Sequence, residues 1–272
     1  NQTLGFIESG LIDRSITRDL QWGVPIPLDG YSNKRIYVWF EALIGYISAS
    51  MEWAESRGEP ERWKDFWFDH ECRSFYFMGK DNIVFHTVIW PAMLMGHGDY
   101  SLPYNVVATE FMNLEGAKIS TSANWAVWLP DYLDRYDPDP LRYVLASNMP
   151  ETSDSEFTWR EYVRSNNDEL VGTYGNLVQR VLTLAYRNFD RCVPTPGVMD
   201  ASARELIDEV QSLFSDAGDS LERARFRTAL RSVMGIAASA NRYLDQRAPW
   251  AFARTDREHA ATTVWVCLSV LN

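Results

Sequence analysis

The spacing of apolar and polar residues changes near residue 150. Before that point, short runs rich in β-branched and aromatic residues, at 35–40, 74–78 and 104–109, alternate with helix-like stretches at 42–57 and from about 83. This alternation predicts a parallel sheet with covering helices. Because ligands bind at the carboxyl ends of strands in such sheets, the residues after 78 and 109 are candidate site positions.

After residue 150, apolar residues recur with a helical period, over roughly 159–188, 201–217, 221–245 and from 249. The segment 193–197 contains two prolines and a glycine and cannot continue a helix, whereas Pro249 suits a first helical turn. We therefore predict an α/β domain over residues 1–150 and an all-α bundle over residues 151–272. A chain of 272 residues also exceeds the usual size of one domain.

Charge and cysteine content narrow the classes of function. The net charge is -11, of which residues 1–150 carry -8 and residues 151–272 carry -3, with arginine supplying every positive charge of the second part. Since cations that neutralise phosphates supply much of the affinity for nucleic acid, any RNA contact should be local. Three scattered cysteines argue against a disulfide framework or a zinc knuckle. We find no signal peptide or membrane-spanning run and expect a cytoplasmic protein.

The segment 115–122, EGAKISTS, presents one lysine and three hydroxyls beside a glycine. Such a loop can close over a polyphosphate, with Lys118 opposing the charge that develops on the leaving group. The alternative is an ordinary polar surface loop, because short motifs often match by chance.

A second candidate lies at the strand-to-helix turn of residues 77–86. Gly79 lets a ligand approach the backbone, and Asp81 could accept hydrogen bonds from ribose hydroxyls or simply cap the next helix. His86 lies about one turn further on, where a lone histidine is more often a core residue than a ligand. The aromatic run at 37–46 is, on its own, typical of a core.

Taken together and in order, the segments 13–25, 37–46, 77–86, 111–122, 176–188 and 248–250 resemble the methionyl members of the class I aminoacyl-tRNA synthetases, of the archaeal-like type. The resemblance implies that Lys118, Ser120 and Ser122 belong to a mobile catalytic loop, in which Thr121 replaces the second lysine of other members. It also implies that Gly79, Asp81 and Lys118 contact ATP. Arg18 would lie near the reacting groups; its alternative is a surface salt bridge with Asp13 or Asp19.

The same resemblance implies a methionine-binding pocket and an anticodon-binding site. The pocket would be formed by Trp39, Ala42, Tyr46 and His86, and a thioether suits aromatic walls. Leu43 stands where many relatives have proline. The anticodon residues would be Arg187, Trp250 and Thr183, because unpaired bases are recognised by aromatic stacking and guanidinium hydrogen bonds. Trp250 could alternatively just anchor the start of a helix.

The implied activity is that of a methionine–tRNA ligase, with L-methionine, ATP, Mg²⁺ and tRNA(Met) as substrates, cofactor and partner. The sequence lacks the His-x-Gly-His signature of this class, so we expect a chain without the N-terminal half of the catalytic domain and without activity on its own. Zinc would bind only in a connecting domain outside the chain. The alternatives are a non-catalytic tRNA-binding module, a class I synthetase for another aliphatic amino acid, and an unrelated nucleotide-binding enzyme.

Overall fold

The computed structural model of the protein describes residues 2–272. These residues form two compact units, one extending to Glu110 and the other spanning Phe111–Asn272. We describe each unit by itself. In residues 2–272, no helix is both long enough and apolar enough to cross a bilayer.

The first unit combines short strands with α-helices. Its described elements are α1 (Gln2–Glu8), β1 (Thr17–Arg18), β2 (Arg35–Ile36), α2 (Val38–Ser56), α3 (Lys64–Trp67), β3 (Phe75–Gly79), a 3₁₀ turn (Lys80–Asn82), a π-helical turn (Phe85–Ile89), α4 (Trp90–His97) and β4 (Asn105–Thr109).

The strands β3 and β4 pair in parallel, from Phe75 opposite Asn105 to Gly79 opposite Thr109. Helical segments connect them, which is the strand–helix–strand crossover that the sequence predicts. The core of this unit packs against one side of the sheet and consists of Leu43, Trp67, Tyr76, Trp90 and Leu94.

The predicted strand at 35–40 is wrong beyond its first two residues. Only Arg35 and Ile36 are in a strand, paired antiparallel with β1, and α2 begins at Val38. Tertiary packing of α2 contributes more to the free energy of the fold than the β propensity of Tyr37, Val38 and Trp39. That helix buries Leu43, which lies 3 % exposed in the core.

The second unit contains a small sheet followed by a helical bundle. Its elements are β5 (Met112–Leu114), β6 (Ala117–Lys118), α5 (Leu129–Leu133), α6 (Pro138–Ser147), β7 (Ser155–Phe157), α7 (Trp159–Arg164), a π-helical segment (Ser165–Gly175), α8 (Asn176–Asn188), α9 (Ala201–Glu222), α10 (Phe226–Arg247), α11 (Pro249–Phe252) and α12 (Arg257–Leu271).

In the sheet, β5 pairs antiparallel with β6 and parallel with β7. The bundle has its own core, to which α8 contributes Leu177, Val181 and Ala185 on one face. Asp200 caps α9 by accepting a hydrogen bond from the Ala203 amide at 3.0 Å.

Two of the predicted helical stretches differ from the structure in detail. The stretch predicted at 221–245 is interrupted at 223–225, where Ala224 adopts a left-handed φ of 54°, so α9 extends to Glu222 and α10 begins at Phe226. The stretch at 159–188 is helical throughout but contains eleven π-helical residues. Together with the parallel strands, the bundle confirms the predicted fold class of an α/β portion and an all-α portion.

Candidate functional site

The carboxyl ends of β3 and β4 lie side by side in the first unit. Gly79 and Thr109 are the last paired residues, and the next residue of each strand, Lys80 and Glu110, form an ion pair. Asp81 lies inside the 3₁₀ turn, and neither this turn nor the π-helical turn that follows it has a side-chain cap. The alternative interpretation of Asp81 as a helix cap is therefore wrong. This edge presents the chain's Gly79 and Asp81 beside a paired lysine and glutamate.

An aromatic cluster lies between α2 and the residues that follow β3. Trp39, Ala42 and Tyr46 have the three- and four-residue spacing of one helical face. Trp39 stacks on Phe85, with ring centroids 5.3 Å apart, and the Tyr46 hydroxyl lies 2.9 Å from Nε2 of His86. The structure therefore brings Tyr46 and His86 together directly, whereas Trp39 contacts the residue that precedes His86.

The hydrogen bonds of His86 define its tautomer. Its Nδ1 lies 3.0 Å from the carbonyl oxygen of Asn82, which can only accept, so Nδ1 carries the proton. In the neutral ring Nε2 then accepts from the Tyr46 hydroxyl. His86 is 6 % exposed, and burial raises the pKa of Tyr46, which keeps the hydroxyl protonated as a donor. The ring is fixed in one orientation with both nitrogens bound.

Arg14 and Arg18, near the amino-terminal end of the first unit, each approach an aromatic ring. The guanidinium of Arg18 lies 3.8 Å from the ring centroid of Tyr37 and donates to the carbonyl oxygens of Ser15 and Thr17. Asp19, the salt-bridge partner considered from the sequence, instead pairs with Lys34. Arg14 lies 5.4 Å from the Phe85 ring and thus belongs to the aromatic cluster. The sequence reasoning named Arg18 and missed Arg14.

The segment with Lys118 is a tight hairpin in the second unit. Glu115 and Gly116 form its turn with φ values of 49° and 78°, the pair of positive values that a two-residue hairpin requires. Lys118 follows on β6 with an exposed side chain. Ser120 and Ser122 are joined by a hydrogen bond of 3.1 Å between their hydroxyls. The turn therefore presents a cation and a pair of hydroxyls on the surface.

Several contacts fix the base of this hairpin. The carboxylate of Glu115 accepts from the Trp159 amide at 2.8 Å, and that of Glu156 accepts from the Gly116 amide. The indole of Trp125 donates to the Leu114 carbonyl at 2.9 Å, while its backbone pairs with Ser120. Trp125 closes the segment into a defined loop, a role that the sequence reasoning missed.

In the bundle, Trp250 lies against an arginine that the sequence reasoning did not name. Trp250 is 50 % exposed, which excludes a fully buried core role, and the guanidinium of Arg180 lies 5.3 Å from its ring. Arg180 also pairs with Asp245. Arg187, which is exposed, follows seven residues later on α8, about 10 Å along the axis and on nearly the same face.

Thr183 lies between these two arginines, three residues after Arg180 and four before Arg187. That spacing places all three on one stripe of α8. The seven-residue repeat of arginine was visible in the sequence, but its contact with Trp250 depends on how α8 and α11 pack.

The class of the protein follows from this fold and from the match to two families. Residues 1–182 match the family described as tRNA synthetases class I (M). Residues 193–272 match the anticodon binding domain of methionyl tRNA ligase. The chain belongs to the class I tRNA synthetase family of the methionyl type.

The chain is also similar along almost its whole length to methionine–tRNA ligases. The chain is 51 % identical to a methionine–tRNA ligase of Thermomicrobium roseum, covering 98 % of the chain and 46 % of the relative. It is 52 % identical to one of Dehalococcoides mccartyi, covering 100 % and 49 %. A solved Mycobacterium tuberculosis methionyl-tRNA synthetase in complex with methionyl-adenylate matches with a TM-score of 0.85 at 28 % identity, covering 99 % of this chain and 52 % of that one. The chain spans about half the length of the curated relatives it matches.

Proposed function

We propose that the chain is part of a methionine–tRNA ligase, which activates L-methionine with ATP to methionyl-adenylate and transfers the methionyl group to tRNA(Met). The observation that carries this proposal is the identity of 51–52 % to methionine–tRNA ligases over 98–100 % of the chain. Translation in the cytoplasm is part of the same proposal. Residues 1–150 would serve catalysis and residues 151–272 anticodon binding.

The methionine side chain is assigned to the cluster of Trp39, Ala42, Tyr46 and His86. Its aromatic rings offer edges and faces to a thioether, which contacts them favourably. The Tyr46–His86 hydrogen bond, 2.9 Å long, holds two of the four side chains in place. Such a wall selects by shape and polarisability.

Nucleotide binding is assigned to Gly79 and Asp81 in the first unit and to Lys118, Ser120 and Ser122 of the hairpin in the second, which would neutralise and bind the phosphates. Arg18 is assigned to the reacting carboxylate. Adenylate formation depends on positioning and charge neutralisation more than on covalent help from the protein. Mg²⁺ would accompany the ATP phosphates. In residues 2–272 no group of three or more His, Cys, Asp or Glu side chains is placed to hold a metal ion.

The anticodon is assigned to Arg187, Thr183 and Trp250. An exposed indole can stack on an unpaired base, and an exposed guanidinium can bind its edge. The contact of Arg180 with Trp250 supports the role of Trp250 in this assignment, because it holds the ring at the surface while leaving half of its area open.

The test replaces Lys118 with alanine in a full-length ligase that contains this chain and measures methionine-dependent exchange of pyrophosphate into ATP. Loss of one preorganised cation should slow exchange roughly 10²–10³-fold. Lys64→Ala is the matched control, because Lys64 is an exposed lysine paired with Glu61 on the surface. A Lys118→Ala rate within threefold of the unchanged enzyme removes Lys118 from the mechanism.

The choice of amino acid in the same assay separates the rival functions. Exchange that depends on methionine supports the proposal, and exchange that depends on leucine or valine instead identifies another class I synthetase. A full-length protein that binds tRNA(Met) without any exchange is a non-catalytic module.

A further inference from the structure

The carboxyl-terminal end of α8 carries an aromatic residue that no proposed role uses. Tyr186 is 59 % exposed, and the guanidinium of Arg191 lies 5.8 Å from its ring centroid. Tyr186 directly precedes Arg187, the residue assigned to the anticodon. An exposed tyrosine held by an arginine resembles the Trp250–Arg180 pair in its chemistry, although it lies on a different part of the helix.

The turn that positions Arg191 is strained. Asp190 and Arg191 have φ values of 53° and 63°, two consecutive non-glycine residues in the left-handed region. Left-handed φ values are uncommon outside glycine and cluster at binding and catalytic sites. The turn is closed by a 2.9 Å hydrogen bond from the Cys192 amide to the Phe189 carbonyl. This geometry places the Arg191 guanidinium over the Tyr186 ring, while Arg191 as a whole stays exposed.

Further cations surround this end of the helix. Arg187 is exposed, and the guanidinium of Arg257, at the start of α12, lies 5.4 Å from the Phe189 ring. In a chain with a net charge of -11, three arginines within reach of one helix end form a local site for phosphates. Tyr186 is next to Arg187 in sequence on α8 and lies about 100° around the helix axis from the arginine stripe.

We propose that Tyr186 and Arg191 form a second contact for an unpaired RNA base, beside the base assigned to Arg187 and Trp250. The base stacks on the tyrosine ring, and Arg191 neutralises a neighbouring phosphate. Stacking on aromatic rings together with arginine is how proteins hold unpaired bases with little dependence on sequence. This contact rests on the proposed function, since it extends the same anticodon surface.

The test measures binding of a fluorescently labelled tRNA(Met) anticodon stem–loop to the 272-residue chain by anisotropy. Tyr186→Ala should raise the Kd about tenfold or more, whereas Tyr186→Phe, which keeps the ring, should change it less than about twofold. Arg191→Ala should reduce the slope of log Kd against log salt concentration by about one, because one fewer counterion is released on binding. Phe214→Ala is the control, because Phe214 is 73 % exposed on α9, and it should bind as the unchanged chain does.

Trp250→Ala, measured in parallel, separates the two proposals. If Trp250→Ala weakens binding and Tyr186→Ala does not, the second contact is wrong and the anticodon assignment stands. If Tyr186→Phe weakens binding as much as Tyr186→Ala, stacking is not the role of this residue and the inference is overturned. An unchanged chain that fails to bind the stem–loop overturns both proposals. Circular dichroism of each variant checks that its helical content is retained.

Discussion

The buried histidine of the first unit shows how one hydrogen bond can order an aromatic cluster. His86 has one nitrogen bound to a backbone carbonyl and the other to Tyr46. A single rotamer satisfies both, so the ring cannot turn without leaving a buried polar atom unbound. The two partners are 40 residues apart in the chain, so this bond also ties α2 to the helical turn that follows β3.

Tyr46→Phe should destabilise the protein because it leaves Nε2 of His86 buried without a donor. We expect the free energy of unfolding to fall by about 1–3 kcal/mol, measured by urea denaturation. Tyr104→Phe is the control, since Tyr104 is 55 % exposed. Equal stability of Tyr46→Phe and the unchanged protein would mean that water satisfies the histidine.

The three cysteines should differ in reactivity in the order of their exposure. Cys192 is exposed, Cys72 is half-buried and Cys267 is buried, and burial raises the pKa of the Cys267 thiol to about 12. With an aromatic disulfide reagent at a pH of about 8, Cys192 should react first, Cys72 more slowly, and Cys267 only on unfolding. Rapid modification of three thiols in the folded protein would contradict this order.

The raised pKa of Cys267 also predicts how the free energy of unfolding changes with pH. The unfolded thiol ionises near its ordinary pKa of 9.0 and the folded thiol near 12, so its contribution is full below pH 9 and is lost as the pH rises toward 12. Cys267→Ala should therefore show a smaller decline in stability above pH 9 than the unchanged protein.

The sequence predicts the surroundings of some site residues but not of others. The exposure of Lys118 follows from its place beside a glycine turn, which is local chemistry. The positions of Arg14 and Arg180 do not, because each lies over a ring from another part of the chain. Contacts of this kind depend on tertiary packing, and no spacing rule predicts them.

At the scale of the helix, Asp200 contributes both a capping hydrogen bond and a negative charge at the start of α9. Its carboxylate accepts from the Ala203 amide and lies near Arg247, and these interactions, with the amide bond as the largest, lower its pKa. Because the folded pKa is depressed, the stabilisation is present above the ordinary pKa and is lost as the pH falls through the folded pKa.

Asp200→Ala should lower the free energy of unfolding at neutral pH by about 1 kcal/mol through the lost cap. Asp200→Asn keeps a capping oxygen and should lose less at neutral pH, while its stability should fall less between about pH 5 and about pH 2 than that of the unchanged protein. Urea denaturation at several pH values measures both effects. Parallel pH curves for the Asp200→Asn variant and the unchanged protein would show that the charge does not contribute.

Elements were predictable where local preference and tertiary packing agree. The strands at 75–79 and 105–109 are β-rich, pair with each other along their whole length and place Tyr76 in the core, so pattern and fold give the same answer. Residues 37–40 are equally β-rich but form the start of α2. The types of residue in so short a run do not distinguish a strand from the first turn of a helix.

On the scale of the whole molecule, each unit has its own core. Leu94 is 2 % exposed in the first unit and Leu244 is fully buried in the second, and the two belong to separate clusters. We expect calorimetry to resolve two unfolding transitions. Leu94→Ala should lower the midpoint temperature of only one transition, and Leu244→Ala that of only the other. Each substitution should lower the free energy of unfolding of its own unit by about 2–5 kcal/mol. A single transition lowered by both substitutions would show that the units unfold together.

The presence of both parallel strands and a long helical bundle was predictable from the change in periodicity, because apolar spacing records which elements pack. The small sheet of β5, β6 and β7, which extends to Phe157, was not predictable from that spacing. Nor was the π-helical segment at 165–175. Its residues have the same apolar spacing as an ordinary helix, and the wider turn is distinguished only by close approaches such as the hydrogen bond from the Thr173 hydroxyl to the Asp168 carbonyl, five residues earlier.

That wide turn should let this stretch of the chain accept the loss of one residue. A π-helical turn holds one residue more than an α-helical turn, so a chain shortened by one residue within 165–175 can narrow one wide turn to an α-helical turn without rotating α8. Leu177, Val181 and Ala185 would stay in the core, and the arginine stripe would keep its place on the surface. The same loss within α8 has no such outlet, because every residue between the gap and the end of the helix would rotate by about 100° and its core side chains would turn toward solvent.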